Sequence, residues 1–172
     1  MIKTRANTSA HSQVLVLGVG NILMRDEGVG VRVVQRLEEL YEIPPQVEVL
    51  DGGTSGVELL PYIEGKGALF IIDAMQKGDM APGEVVVLDL SSHIHVYRNR
   101  ISPHQLGISE VLALATLQEK IPPVVKLIGI RPSRVDTGLE LSPEVEEAVD
   151  RAILLLKKEL EGMGLGLAEK RG

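Results

Sequence analysis

Residues 13–30 read QVLVLGVGNILMRDEGVG. The apolar run 14–17 passes straight into Gly18, Gly20, Gly28 and Gly30, and an amphipathic stretch follows over residues 27–41. In that stretch Val33, Val34, Leu37, Leu40 and Tyr41 share one face, Arg32, Arg36 and Glu39 lie on the other, and Pro44-Pro45 ends the pattern. A short run of Val and Leu without alternation reads as a strand buried on both faces, and the 3.6-residue period after it reads as a helix packed on the same sheet.

Working outward, residues 13–18, 46–50, 68–73, 84–90 and 124–130 form five such apolar segments. A short second helix begins near Thr54 and is disturbed at Pro61. Ser102-Pro103-His104-Gln105 opens a third with a Ser N-cap, Pro in the first turn and Gln completing a capping box. Ser142-Pro143-Glu144 opens the last in the same style, with Val145, Val149, Ile153 and Leu156 as its apolar stripe. Alternation of strands and helices makes right-handed parallel crossovers the default. The ten residues 74–83, with Gly78, Pro82 and Gly83, are too few for a parallel crossover, so the fourth strand runs antiparallel at an edge.

The expected fold is α/β: a single three-layer domain over residues 13–160, with a twisted, mostly parallel five-stranded sheet, one antiparallel strand and helices on both faces. Residues 1–12 read as a flexible N-terminal extension, and 161–172, rich in glycine, as a flexible, unstructured tail.

A chain of 172 residues with 44% hydrophobic and 24% charged residues is long enough for one buried core and too apolar for wholesale disorder. Cysteine is absent, which excludes disulfides, Cys-based metal sites and a cysteine nucleophile. A net charge of −6 without a basic run argues against a nucleic-acid partner. The apolar runs fall far short of the ~20 residues that span a membrane, and no secretory pattern opens the sequence; the expected location is the cytoplasm, with no membrane partner.

In open α/β sheets ligands bind outside the carboxyl ends of the strands. Glu27 follows the first strand, Asp51 ends the second and Asp73 ends the third, and a third helix leading into a parallel strand begins at that same edge, bringing His104 toward them. Two carboxylates and one imidazole near solvent suit a borderline divalent ion such as nickel, zinc, iron or manganese. Each residue also has a structural reading: Asp26-Glu27 as the cap of the first helix, Asp73 as the cap of a turn, His104 as an exposed first-turn residue. The Gly-rich stretch invites a dinucleotide reading, but Leu23 stands where a third glycine would fall, and Asp26 and Glu27 would repel phosphate. His93 and His95 lack a carboxylate partner and read as a solvated connection.

Gly18-Val19-Gly20-Asn21-Ile22-Leu23 with Asp26-Glu27-Gly28-Val29-Gly30, then Asp51-Gly52-Gly53-Thr54, Ile72-Asp73-Ala74, Pro82-Gly83 and Ser102-Pro103-His104-Gln105-Leu106-Gly107, resembles the hydrogenase maturation endopeptidases, in the same order and over about residues 14–155. The resemblance implies an endopeptidase that removes a C-terminal peptide from the nickel-loaded precursor of a nickel–iron hydrogenase large subunit. It implies metal ligands at Glu27, Asp73 and His104, with the nickel supplied by the substrate; zinc or another divalent ion could occupy the same ligands in vitro. Water would be activated by the metal or by a carboxylate such as Asp51, the catalytic candidate. Two other readings stand beside it: a metallopeptidase or amidohydrolase with resident zinc, and a non-catalytic nucleotide-binding or assembly module. Arg25 puts a positive charge next to the acidic pair.

Overall fold

The computed structural model describes residues 13–76, 78–92 and 106–172. The elements run β1 (Val14–Val19), a 3-10 turn (Arg25–Gly28), α1 (Val29–Leu40), β2 (Tyr41–Glu42), β3 (Val47–Gly53), a second 3-10 turn (Val57–Leu59), α2 (Leu60–Ile63), β4 (Ala68–Ala74), β5 (Val85–Asp89), α3 (Leu106–Leu117), β6 (Val124–Ile130), α4 (Pro143–Gly162) and β7 (Ala168–Glu169). The main sheet has the order β3-β1-β4-β6-β5, with β5 antiparallel to β6 at one edge and the other pairs parallel. The antiparallel edge strand expected from the short 74–83 connection is therefore present.

β1 and β4 are buried on both faces, which explains their unbroken apolar sequences. Val14, Val16, Phe70 and Ile72 join one core with Val33, Val34 and Leu37 of α1 and Val149, Ile153 and Leu156 of α4. Leu15, Leu17, Leu69 and Ile71 point the other way, into a second core with Leu59, Ile63 of α2 and Val111, Leu112 of α3. Three layers follow from this alternation. Leu40, expected on the apolar face of α1, is 46% exposed at the helix end, where the chain turns into β2.

Residues 161–172 depart from the flexible tail expected of them. α4 continues to Gly162, Leu167 reaches the first core, and β7 pairs antiparallel with β2. The Lys170 backbone N–H donates to the Leu40 carbonyl at 2.8 Å, and its ammonium donates to the Glu38 carbonyl at 2.6 Å. The glycines supply the turn after α4, with Gly164 at φ 77, rather than a loose end. The extension 1–12, the helix opening 102–105 and both His93 and His95 lie outside the described residues.

Candidate functional site

The connection from β1 runs to α1 on one face of the sheet, whereas α2 and α3 lie on the other. The direction of winding changes between β1 and β4, and that switch point is where an open α/β sheet leaves a crevice at its carboxyl edge. Glu27 lies on the turn after β1, and Asp73 near the carboxyl end of β4.

Two glycines make that approach possible. A Cβ on Gly30 would lie 2.0 Å from the Ile72 carbonyl oxygen and 2.5 Å from that of Val19, so only a bare α-carbon lets the start of α1 rest on the ends of both strands. Gly20, at φ 133, turns the chain back under the 3-10 turn, where a Cβ would lie 2.0 Å from the Glu27 carbonyl oxygen. The glycine spacing that suggested a dinucleotide site thus serves to seat a carboxylate-bearing turn against the sheet.

Glu27 is half-buried. Asp73 is 2% exposed, so it is less accessible than a strand-end residue near solvent. Its place on β4, in phase with Leu69 and Ile71, puts it on the α2/α3 face. Asp51 pairs with Gly18 in the β1–β3 ladder, and its Oδ1 accepts the Gly53 N–H at 3.0 Å, with Gly53 at φ 50. This is a turn built by the aspartate itself.

His104 lies outside the described residues. The helix that follows it is oriented as expected: Lys120, just past the end of α3, pairs with Glu64 at 3.0 Å near the amino end of β4. The 12 residues of α3 are about 18 Å long, so Leu106 begins at the carboxyl edge. Among the described residues no three His, Asp or Glu side chains form a metal-binding group.

Asp26 separates from Glu27 in role. Its side chain is fully buried, and Oδ2 accepts the backbone N–H groups of Ser133 at 2.9 Å and Arg134 at 2.7 Å together with the Ser142 hydroxyl at 2.8 Å. Oδ1 accepts the Ser142 N–H at 2.7 Å. This carboxylate is structural, but it caps no helix: neither the 3-10 turn nor α1 has a side-chain cap hydrogen bond. Ser142 does stand at the N-cap of α4, yet its hydroxyl serves Asp26 rather than its own helix.

Arg25, at the left-handed φ of 50, is held by its N–H to the Gly138 carbonyl at 2.9 Å. Its guanidinium turns away to Asp136, at 3.3 Å, so its charge is matched in the 131–142 loop. Asp136 also receives Arg134, whose side-chain hydrogen bond holds the Asp136 carboxyl below its ordinary range, with Arg25 adding to the same effect. Sequence reading missed Ser133, Arg134 and Ser142 as partners of Asp26, because they lie 107 to 116 residues away from it.

Comparison with known proteins agrees with this architecture. The hydrogenase maturation protease family model (HycI) matches residues 31–159. The hydrogenase 2 maturation protease of Escherichia coli (strain K12) is 40% identical over 141 residues, covering 82% of this chain and 86% of that protein. The hydrogenase expression/formation protein HupD of Rhodobacter capsulatus is 40% identical over 155 residues, 89% of this chain and 73% of that protein. Among solved structures, the hydrogenase maturating endopeptidase HybD from E. coli superposes with a TM-score of 0.86 at 37% identity, covering 92% of this chain and 98% of that one. The [NiFe] hydrogenase maturation protease HybD from Thermococcus kodakarensis gives 0.71 at 31% identity, covering 86% and 98%. With this fold, these glycines and this order of motifs, the chain belongs to the hydrogenase maturation protease family and is a hydrolase, an endopeptidase.

Proposed function

We propose that this endopeptidase removes a C-terminal peptide from the nickel-loaded precursor of a nickel–iron hydrogenase large subunit, and that it does so in the cytoplasm. The observation that supports the site most directly is the bare α-carbon of Gly30 against the Ile72 carbonyl, which sets the turn carrying Glu27 beside the strand carrying Asp73. Glu27, Asp73 and His104 are the proposed ligands of the substrate's nickel, and zinc or another divalent ion is expected to fill them in vitro.

Holding the substrate at these groups fixes the scissile carbonyl relative to the protein, which removes much of the entropy cost of reaction. Asp51, at the neighbouring strand end, is the proposed group for orienting water. No Cys is available, and no G-x-S-x-G elbow occurs, so direct attack by water is the reading preferred over an acyl-enzyme.

The test is incubation with a purified large-subunit precursor, with and without nickel, followed by mass measurement of its C-terminus. Cleavage of the nickel-loaded form alone is the expected result. Equal processing of both forms by metal-free enzyme overturns nickel recognition, and stoichiometric zinc retained after dialysis points to a resident-metal hydrolase.

A further inference from the structure

Arg131 follows the last residue of β6 at the same carboxyl edge. The strand geometry continues through it: the Arg131 N–H donates to the Glu84 carbonyl at 2.9 Å, and the Gly83 N–H donates to the Arg131 carbonyl at 2.8 Å. Gly129 lies on the second-core face, where the Met75 sulfur stands 2.8 Å from the place a Cβ would occupy. Alternation puts Arg131, two residues later, on that face as well, and Asp73 shares it from the adjacent strand.

Asp73 pairs with Gly129, so Arg131 is one strand across and two residues further along. At about 4.8 Å between strands and ~3.3 Å per residue, the two α-carbons are about 8 Å apart, within the span of an arginine side chain.

Arg131 is half-buried. Its Nε is buried without a hydrogen-bond partner, and among the described residues its guanidinium joins no ion pair. The other described arginines of this edge are matched, since Arg25 and Arg134 both engage Asp136. Glu84, its cross-strand neighbour, turns its carboxylate to the Ala81 N–H at 2.8 Å. A buried donor without an acceptor costs stability, and a bound oxygen acceptor would relieve that cost.

We propose that Arg131 is a substrate-binding residue whose guanidinium donates to acceptor oxygens of the peptide backbone beside the bond that is cut. This rests on the crevice between β1 and β4 being the active site. A planar fork of N–H donors suits peptide carbonyls and the carboxylate that hydrolysis releases, and Lys offers the charge without the fork.

The experiment compares wild type, Arg131→Met, Arg131→Lys, Arg131→Ala and Glu27→Ala on nickel-loaded precursor. Arg131→Met is expected to raise KM about tenfold or more with a smaller change in kcat, and Arg131→Lys to recover only part of it. Millimolar guanidinium should restore part of the Arg131→Ala loss, a rescue that a packing role would not show. Melting temperature should not fall, because no partner among the described residues is lost. If Arg131→Met does not fold, Arg131→Lys carries the test through its raised KM. Unchanged KM in the Arg131 variants beside an inactive Glu27→Ala overturns the arginine proposal alone, whereas a fully active Glu27→Ala overturns the site and the proposal together.

Discussion

Asp26 and Glu27 are adjacent in the chain and belong to two different regions. Asp26 closes a clasp between the 3-10 turn and the 131–142 loop, fully buried among four donors. Glu27, one residue on in the same 3-10 turn, is half-buried, with no hydrogen-bond or ion-pair partner for its carboxylate among the described residues. A buried carboxylate held by four fixed N–H and O–H donors is committed to the fold rather than to a ligand. One that lacks such donors keeps its coordination capacity, at some cost to the fold. The clasp also positions the crevice, because the loop it pins runs beside the glycine-bearing turn.

The largest effect should come from breaking the clasp. Asp26→Ala leaves three backbone N–H groups and a hydroxyl without their acceptor and should destabilise by about 3–4 kcal/mol in urea unfolding. Little loss would show that water replaces the carboxylate and that the two regions differ less than their geometry implies.

On the crevice side, Glu27→Ala should lower processing of nickel-loaded precursor by about a hundredfold or more, since even outer partners of metal ligands carry ~10–100-fold effects. Its urea stability should stay within about 1 kcal/mol of wild type. A large stability loss with intact processing would assign Glu27 to the clasp.

A packing control sharpens the contrast. Leu167→Ala, in the C-terminal segment, should cost about 1–2 kcal/mol, less than a full core truncation because the site is at the core's rim, with processing unchanged at temperatures where the protein is folded. No loss on urea unfolding would mean that the β2–β7 pairing and not Leu167 holds this segment.

The smallest effect is on pH. The Asp136 carboxyl is held below its ordinary 3.8 by Arg134, and that of Glu144 below 4.5 by the Ser133 side chain. A depressed folded-state pKa means stability that is present above those ordinary values and lost as the pH falls below them through the folded ones. Asp136→Asn should therefore leave a slightly flatter acid limb and no change in the dependence of stability on pH between 6 and 8. A change confined to neutral pH would contradict the assignment.

Much of this was legible in the chain. The buried runs of β1 and β4 predict parallel strands, because a strand covered on both faces has no polar positions, and the short 74–83 connection predicts an antiparallel edge, because too few residues remain for a crossover. Glu27 and Asp73 could be named from their places after apolar runs. The pairing of β7 with β2 could not, since two-residue strands carry no periodicity.

The sequence by itself therefore determined the layers, the strand directions and the acidic edge, all of which depend on patterns within a few residues. Only the tertiary structure decided which of two neighbouring carboxylates is a clasp and which has no partner among the described residues. The partners of Asp26 lie 107 to 116 residues away, and their backbone N–H groups are common to almost every residue type, so no local spacing marks them. The same reason separates Arg131 from Arg25 and Arg134: identical side chains differ in whether the fold places an acceptor beside them among the described residues.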